Sequence, residues 1–248
     1  MSTWALLASV AVLAAAGFAH GVFGIGFAMI ATPLLALFLD YRLAVLLAAV
    51  PLLIMASSWL LANRRLLRGY RMPASLLPAI GAGSLLGVTL QIGLPERAAL
   101  LLLASLLAVS VLAPWLLARL RTPAMSSMER TGALLGGLAG ITEAALNVGA
   151  PFVLIYAALA RLQRLEQLIA LNLCFALGKT IQLSVMYMTD LPPVSPAALV
   201  LGTLASGAAF HVGNRMASRF SETRFRELLR YFLMVMIVAL IGRAMFVY

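Results

Sequence analysis

Charge is what this chain most lacks: Asp, Glu, Lys and Arg make up 10% of its 248 residues, and none occurs before Asp40. A soluble domain carries about 25% charged and about 45–50% apolar residues, against 63% hydrophobic here. So few charges cannot clothe a water-exposed surface, which makes the bilayer the solvent and the chain a polytopic helical membrane protein. Cysteine is nearly absent too. Cys174 stands alone, which excludes a disulfide within the chain, and its place in an apolar segment reads as a small packing residue. The two histidines, His20 and His211, lie far apart. With one mid-segment Glu they do not make the H-E-x-x-H spacing of an intramembrane metalloenzyme, and both read as interfacial or packing residues. Gly178-Lys179-Thr180 lacks the upstream glycine of a phosphate-binding loop, since position 173 is Leu. Neither ATP hydrolysis nor a cofactor is implied. The start, Met1-Ser2-Thr3-Trp4, lacks the basic residues of a signal peptide and reads as part of a mature membrane segment.

Apolar segments fall at about 3–39, 43–62, 73–92, 98–118, 131–160, 168–188, 196–213 and 228–247. The net charge of +10 is carried by arginines in the short loops between them, a topogenic pattern rather than a nucleic-acid surface. The rule places 63–72, 119–130, 161–167 and 214–230 in the cytoplasm. Loop 189–195 has no basic residue and faces the other side, with Arg42, Arg97 and Arg243.

The order of features repeats after Arg130. Each half opens on a long Gly-interrupted stretch ending in proline (Thr32-Pro33, Ala150-Pro151) and later carries a glycine-bearing helix (Gly81, Gly83, Gly87; Gly202, Gly207, Gly213). Each closes on a helix behind an acidic turn (Glu96, Glu222). The expected organisation is a membrane repeat at 1–118, a cytoplasmic linker at 119–130 and a second repeat at 131–248. Cytoplasmic signals flank 131–160 on both ends, so it enters and leaves on one side. Two half-length helices turning near Thr142–Gly149 satisfy this, and by symmetry 3–39 turns near His20–Gly26. A hairpin plus three spans is an odd number of crossings, so the halves are inverted repeats of the kind transporters use. The competing arrangement has 3–39 and 131–160 crossing fully, once or twice.

Chain breaks inside a membrane are tolerated only in protein or beside a wet cavity. Gly21, Gly24 and Gly26 give the freedom for one, and a helix from Phe27 then aims free N–H groups at the break. Gly149 with Pro151 does the same in the second half. Two such N-termini suit an anion. Glu143 and Lys179 are an acid and a base where a membrane excludes both, at a cost of at least ~2.5–3.5 kcal/mol each. Lys179 contacts an anionic substrate, pairs with Glu143, or sits in a wet cavity without function. Glu143 carries protons for coupling or neutralises Lys179. Thr142, Asn147 and Asn172 are candidate ligand donors, the asparagines against a role in satisfying broken-helix carbonyls. Ser57, Ser58, Thr180 and Gln182 are expected to bond helix backbones or a neighbour.

Across its length the chain resembles the TauE/SafE family of sulfite and organosulfonate exporters. The residues carrying this are Gly17–Pro33 (GFAHGVFGIGFAMIATP), Gly136–Pro151 (GGLAGITEAALNVGAP) and the turns around Glu96 and Glu222. The family's GxGGG-type run is reduced to Gly24-Ile-Gly26 in the first half and replaced by Thr142-Glu143-Ala-Ala-Leu-Asn147-Val-Gly149 in the second. The resemblance implies a secondary transporter of a small anion in the bacterial inner membrane. The implied partners are that anion and the lipid bilayer, with homodimerisation left open, and no cofactor or nucleic acid. A turn carrying Glu143 opposite Lys179 favours a larger or zwitterionic solute such as an amino sulfonate. The channel and the non-transporting membrane subunit are the alternatives.

Overall fold

The computed structural model describes residues 1–67, 73–117, 128–189 and 192–247, with no strand among them. The helices are α1 (Thr3–Phe23), α2 (Phe27–Leu35), α3 (Tyr41–Ala62), α4 (Arg64–Leu67), α5 (Leu76–Gly93), α6 (Glu96–Leu117), α7 (Met128–Leu146), α8 (Ala150–Leu159), α9 (Arg164–Thr189), α10 (Pro196–Met216) and α11 (Glu222–Phe246). Seven of these, α1, α3, α5, α6, α9, α10 and α11, are long and apolar enough to cross a membrane. The expected all-α polytopic membrane fold is therefore what the sequence forms. Arg68, Arg71, Arg119 and Arg121, and most of the expected linker, fall outside the described residues.

Both long opening stretches fold as hairpins. Trp4 near the start of α1 packs on Phe38 beyond α2, ring centroids 5.7 Å apart, so the chain returns to where it entered. In the second hairpin Gly149 folds back against Ala139 and Glu143 of α7. Only the second arm of each hairpin is the half-length helix expected. α1 has 21 residues and α7 has 19, against 9 in α2 and 10 in α8. At 1.5 Å per residue the first arms approach the ~30 Å thickness of a bilayer core. The reason is local: Gly21 does not interrupt α1, and the chain turns only at Gly24, which caps α1 at φ 75°.

The chain forms two compact units, each drawing on both sequence halves. The first comprises Met1–Leu52, Leu94–Val111 and Leu191–Tyr248. Here α1 lies on α10, and small residues set the approach: a methyl at Gly17, Gly21 or Gly213 would collide with the backbone of Ser206, Phe210 or Phe18. The second unit comprises Leu53–Gly93 and Leu112–Asp190, with α7 on α5. Gly83, Gly87 and Gly140 serve there as the first set does, against Gly137, Ile141 and Ile80. Arms and partners thus correspond: each long hairpin arm packs on the glycine-bearing helix of the other half.

Within each unit, segments assigned by loop charge to one side lie together. Glu96 at the start of α6 pairs with Arg243 at the end of α11 (2.7 Å), and Arg243 also donates to the Ala36 carbonyl past α2. In the second unit Glu129 accepts from the Ala74 and Ser75 backbone N–H groups (both 3.2 Å), and Ser75 Oγ donates to the Glu129 carbonyl (2.7 Å). These N–H groups sit at the entry to α5, so Glu129, at the linker's end in the first turn of α7, caps a helix of the first half.

Candidate functional site

α7 ends because Asn147 adopts φ 58°, the left-handed region that asparagine tolerates better than other side-chain-bearing residues. Its N–H closes on the Glu143 carbonyl (3.1 Å) and that of Val148 on Thr142 (3.1 Å). Gly149 then serves as N-cap of α8, with Pro151 in the first turn. Only glycine fits at 149, because a Cβ there would lie 2.7 Å from both the Ala139 carbonyl oxygen and Glu143 Cβ.

This turn delivers Glu143 into contact with α9. Glu143 Oε1 lies 2.9 Å from Lys179 Nζ, with both side chains fully buried. Glu143 Oε2 accepts the Gly149 N–H (2.8 Å), filling the N-terminus of α8 with the protein's own carboxylate. Lys179, the only lysine in the chain, also donates to the Glu143 carbonyl (2.6 Å), Asn147 Oδ1 (2.5 Å) and Gln182 Oε1 (2.9 Å). Four oxygens thus surround an ammonium with three protons. Gln182 is held in turn by donating to the Ala144 carbonyl (2.6 Å) and Gln91 Oε1 (3.0 Å). Gly178 lets α9 approach, since a Cβ there would meet Glu143 Cγ at 3.0 Å. A buried pair of this kind stands only when its remaining valences are satisfied, and here the break and Gln182 of α9 supply partners, with Gln91 of α5 holding Gln182 in place.

The first hairpin breaks at the same spacing with different side chains, and its N-cap glycine is left-handed where Gly149 is not. α1 ends at Phe23, Gly24 is left-handed, and Gly26, also left-handed at φ 102°, is N-cap of α2. In the second hairpin Asn147 stands where Gly24 does and Gly149 where Gly26 does. Gly24 N–H bonds the His20 carbonyl (2.7 Å) as Asn147 N–H bonds that of Glu143. His20 is therefore the positional counterpart of Glu143. It is buried against Phe27 and Phe210, with centroids 6.3 and 5.6 Å away, and its ring bonds the Ile25 backbone. Phe23 stacks on Phe225 at 3.6 Å, and the Phe225 ring closes over Gly26.

The sequence-derived candidates divide accordingly. Glu143, Asn147, Gly149 and Lys179 come together in the second unit, and the structure pairs Lys179 with Glu143. Gly24, Gly26 and Phe27 form the break of the first unit, with Gly21 one turn earlier packed on α10. Thr142 donates to its own helix carbonyls, Leu138 (2.8 Å) and Ala139 (3.3 Å). Asn172 donates to Leu168 (2.8 Å), and its Oδ1 is buried with no partner among the described residues. Thr180 bonds its own helix, as expected. Gln182 proves central, and Gln91 is a member that sequence reasoning passed over. The signal was a glutamine inside an otherwise apolar helix, Thr89-Leu-Gln91-Ile-Gly93.

A polytopic helical protein with two matched breaks, one holding a buried ion pair, has the make-up of a membrane transporter. The family model described as sulfite exporter TauE/SafE matches residues 9–240. No curated protein and no solved structure matches the chain. The chain belongs to the TauE/SafE sulfite exporter family, a family of integral multi-pass membrane transporters.

Proposed function

We propose that this protein is a secondary transporter that exports a small organic or sulfur-containing anion, such as sulfite or a sulfonate, across the bacterial inner membrane. Transport proceeds by alternating access between inverted repeats at 1–118 and 131–248, joined through 119–130. The anion meets half-helix N-termini at midplane depth: in the first unit that of α2, with Gly21, Gly24, Gly26 and Phe27, and in the second unit that of α8, with Thr142, Asn147, Gly149, Asn172 and Lys179. The observation carrying this reading is the shared spacing of the two breaks: a left-handed residue, one further residue, then an N-cap glycine, with a titratable residue one turn before. The cap glycines differ in conformation, Gly26 at φ 102° and Gly149 at φ -86°, yet both breaks present a helix N-terminus.

Glu143 supplies the coupling. Its carboxylate takes the Gly149 N–H and the Lys179 charge, the two groups an incoming anion would use. A proton on Glu143 cancels that hold and releases both to the substrate, so anion binding and proton uptake go together.

A thermal-shift panel of sulfite, thiosulfate, taurine, sulfoacetate and plain carboxylates on the purified protein tests the anion site. The expected result is stabilisation by at least one sulfur oxyanion that grows as pH falls. Stabilisation by no anion in the panel would contradict the reading.

A further inference from the structure

The four oxygens around Lys179 Nζ do not come from one acidic partner. They are a carboxylate oxygen and a main-chain carbonyl of Glu143, a side-chain amide oxygen of Asn147 and one of Gln182, at 2.9, 2.6, 2.5 and 2.9 Å. While Glu143 is ionised this ammonium has no N–H left for an anion, because protein acceptors enclose every one. The enclosing set has one negative charge and otherwise neutral dipoles, which is the donor chemistry of a site for a weakly hydrated monovalent cation. The acceptors are fixed without the lysine. Asn147 and the Glu143 carbonyl belong to the end of α7, Glu143 Oε2 is tethered to Gly149 N–H, and Gln182 is held by Ala144 and Gln91.

We infer that Glu143, Asn147 and Gln182 form a monovalent-cation site occupied by the chain's own ammonium. Lys179 is in this sense a tethered counter-cation, and removing it leaves a cage that takes a free ion of the same class, ammonium or potassium. The cage stands whether or not the transport reading above is right. If that reading holds, the protein carries its counter-cation covalently and needs no sodium or potassium gradient beside the proton.

The test uses full-length Lys179→Ala purified in choline chloride and titrated with ammonium, potassium or sodium chloride at constant ionic strength, with no transported anion present. The expected result is a saturable rise in melting temperature of about 3–6 °C at a tenfold excess over the dissociation constant. Choline should give none, and neither should any of these cations on the unaltered protein, whose cage is full. A rise equal in both proteins, or none in Lys179→Ala, would overturn the inference. Where Lys179→Ala is not recovered, the Lys179→Ala/Glu143→Gln variant, with a cage free of net charge, should be recovered and show no cation response. Loss of the double variant as well would mean that Lys179 fills space rather than charge, and would equally overturn it.

Discussion

Glu143 makes four contacts through three oxygens: to Lys179 through Oε1, to Gly149 through Oε2, and to Lys179 and Asn147 through its carbonyl. Removing its carboxylate strands a buried ammonium, whereas removing both charges does not. Glu143→Ala should therefore lower unfolding stability by about 3–5 kcal/mol, with the Glu143→Ala/Lys179→Met pair costing clearly less. Thermal unfolding of the four proteins of that cycle measures the coupling, and additive losses would show that the pair is not an energetic unit. The acid and base were legible in the sequence because charges inside apolar segments are costly. Their mutual contact was one of three readings, and only the fold, which joins Glu143 and Lys179, selects it. Gln91 was less legible still: a neutral amide in an apolar helix usually bonds its own backbone, and only the approach of α5 to α9 gives it Gln182 as a partner.

Breaks of the same spacing are written differently in the two hairpins. Asn147 and Gly24 hold equivalent left-handed positions, so conformation and chemistry can be separated by substitution. Gly24→Asn should be tolerated, while Gly24→Val should cost about 1–3 kcal/mol through strain alone. Asn147→Gly should keep the turn yet lose the Lys179 contact, and Asn147→Val should lose both. Melting temperatures of the four variants rank these effects, and equal losses for Gly24→Asn and Gly24→Val would contradict a left-handed requirement. Helix locations could be read from hydropathy, and both breaks from glycine and proline. Arm lengths could not, because Gly17, Gly21, Gly136 and Gly140 look like interruptions and instead serve as contact points in continuous helices.

A second element-scale device is the cap that Glu129 places on the entry to α5. Hydrogen bonds from the Ser75 side chain, then the Ser75 and Ala74 backbone, hold its carboxyl below the ordinary glutamate range. A depressed folded value stabilises the protein above the ordinary range and ceases to do so as pH falls through the lowered value. The melting temperatures of the parent and Glu129→Gln should therefore differ near neutrality and converge in acid. A gap that persists unchanged at low pH would contradict the cap.

At the scale of the molecule, α1 of the first half packs on α10 of the second, and α7 of the second on α5 of the first. Neither half builds a compact unit alone. The order of sequence features pointed to a repeat, but this exchange was not legible, since apolar periodicity says that a helix is buried and not by which partner. Such an exchange couples any rearrangement of one half to the other, which suits the proposed alternating access. It also makes Glu143 central, because the hairpin carrying it is packed on a helix of the opposite half. The direct measurement is flux of sulfite or a sulfonate in proteoliposomes under an imposed pH gradient, comparing the parent with Glu143→Gln. The expected result is saturable flux that responds to the gradient in the parent and no longer responds in Glu143→Gln. Flux that never saturates, or that responds to the gradient equally in both proteins, would contradict a proton-coupled carrier built around this residue.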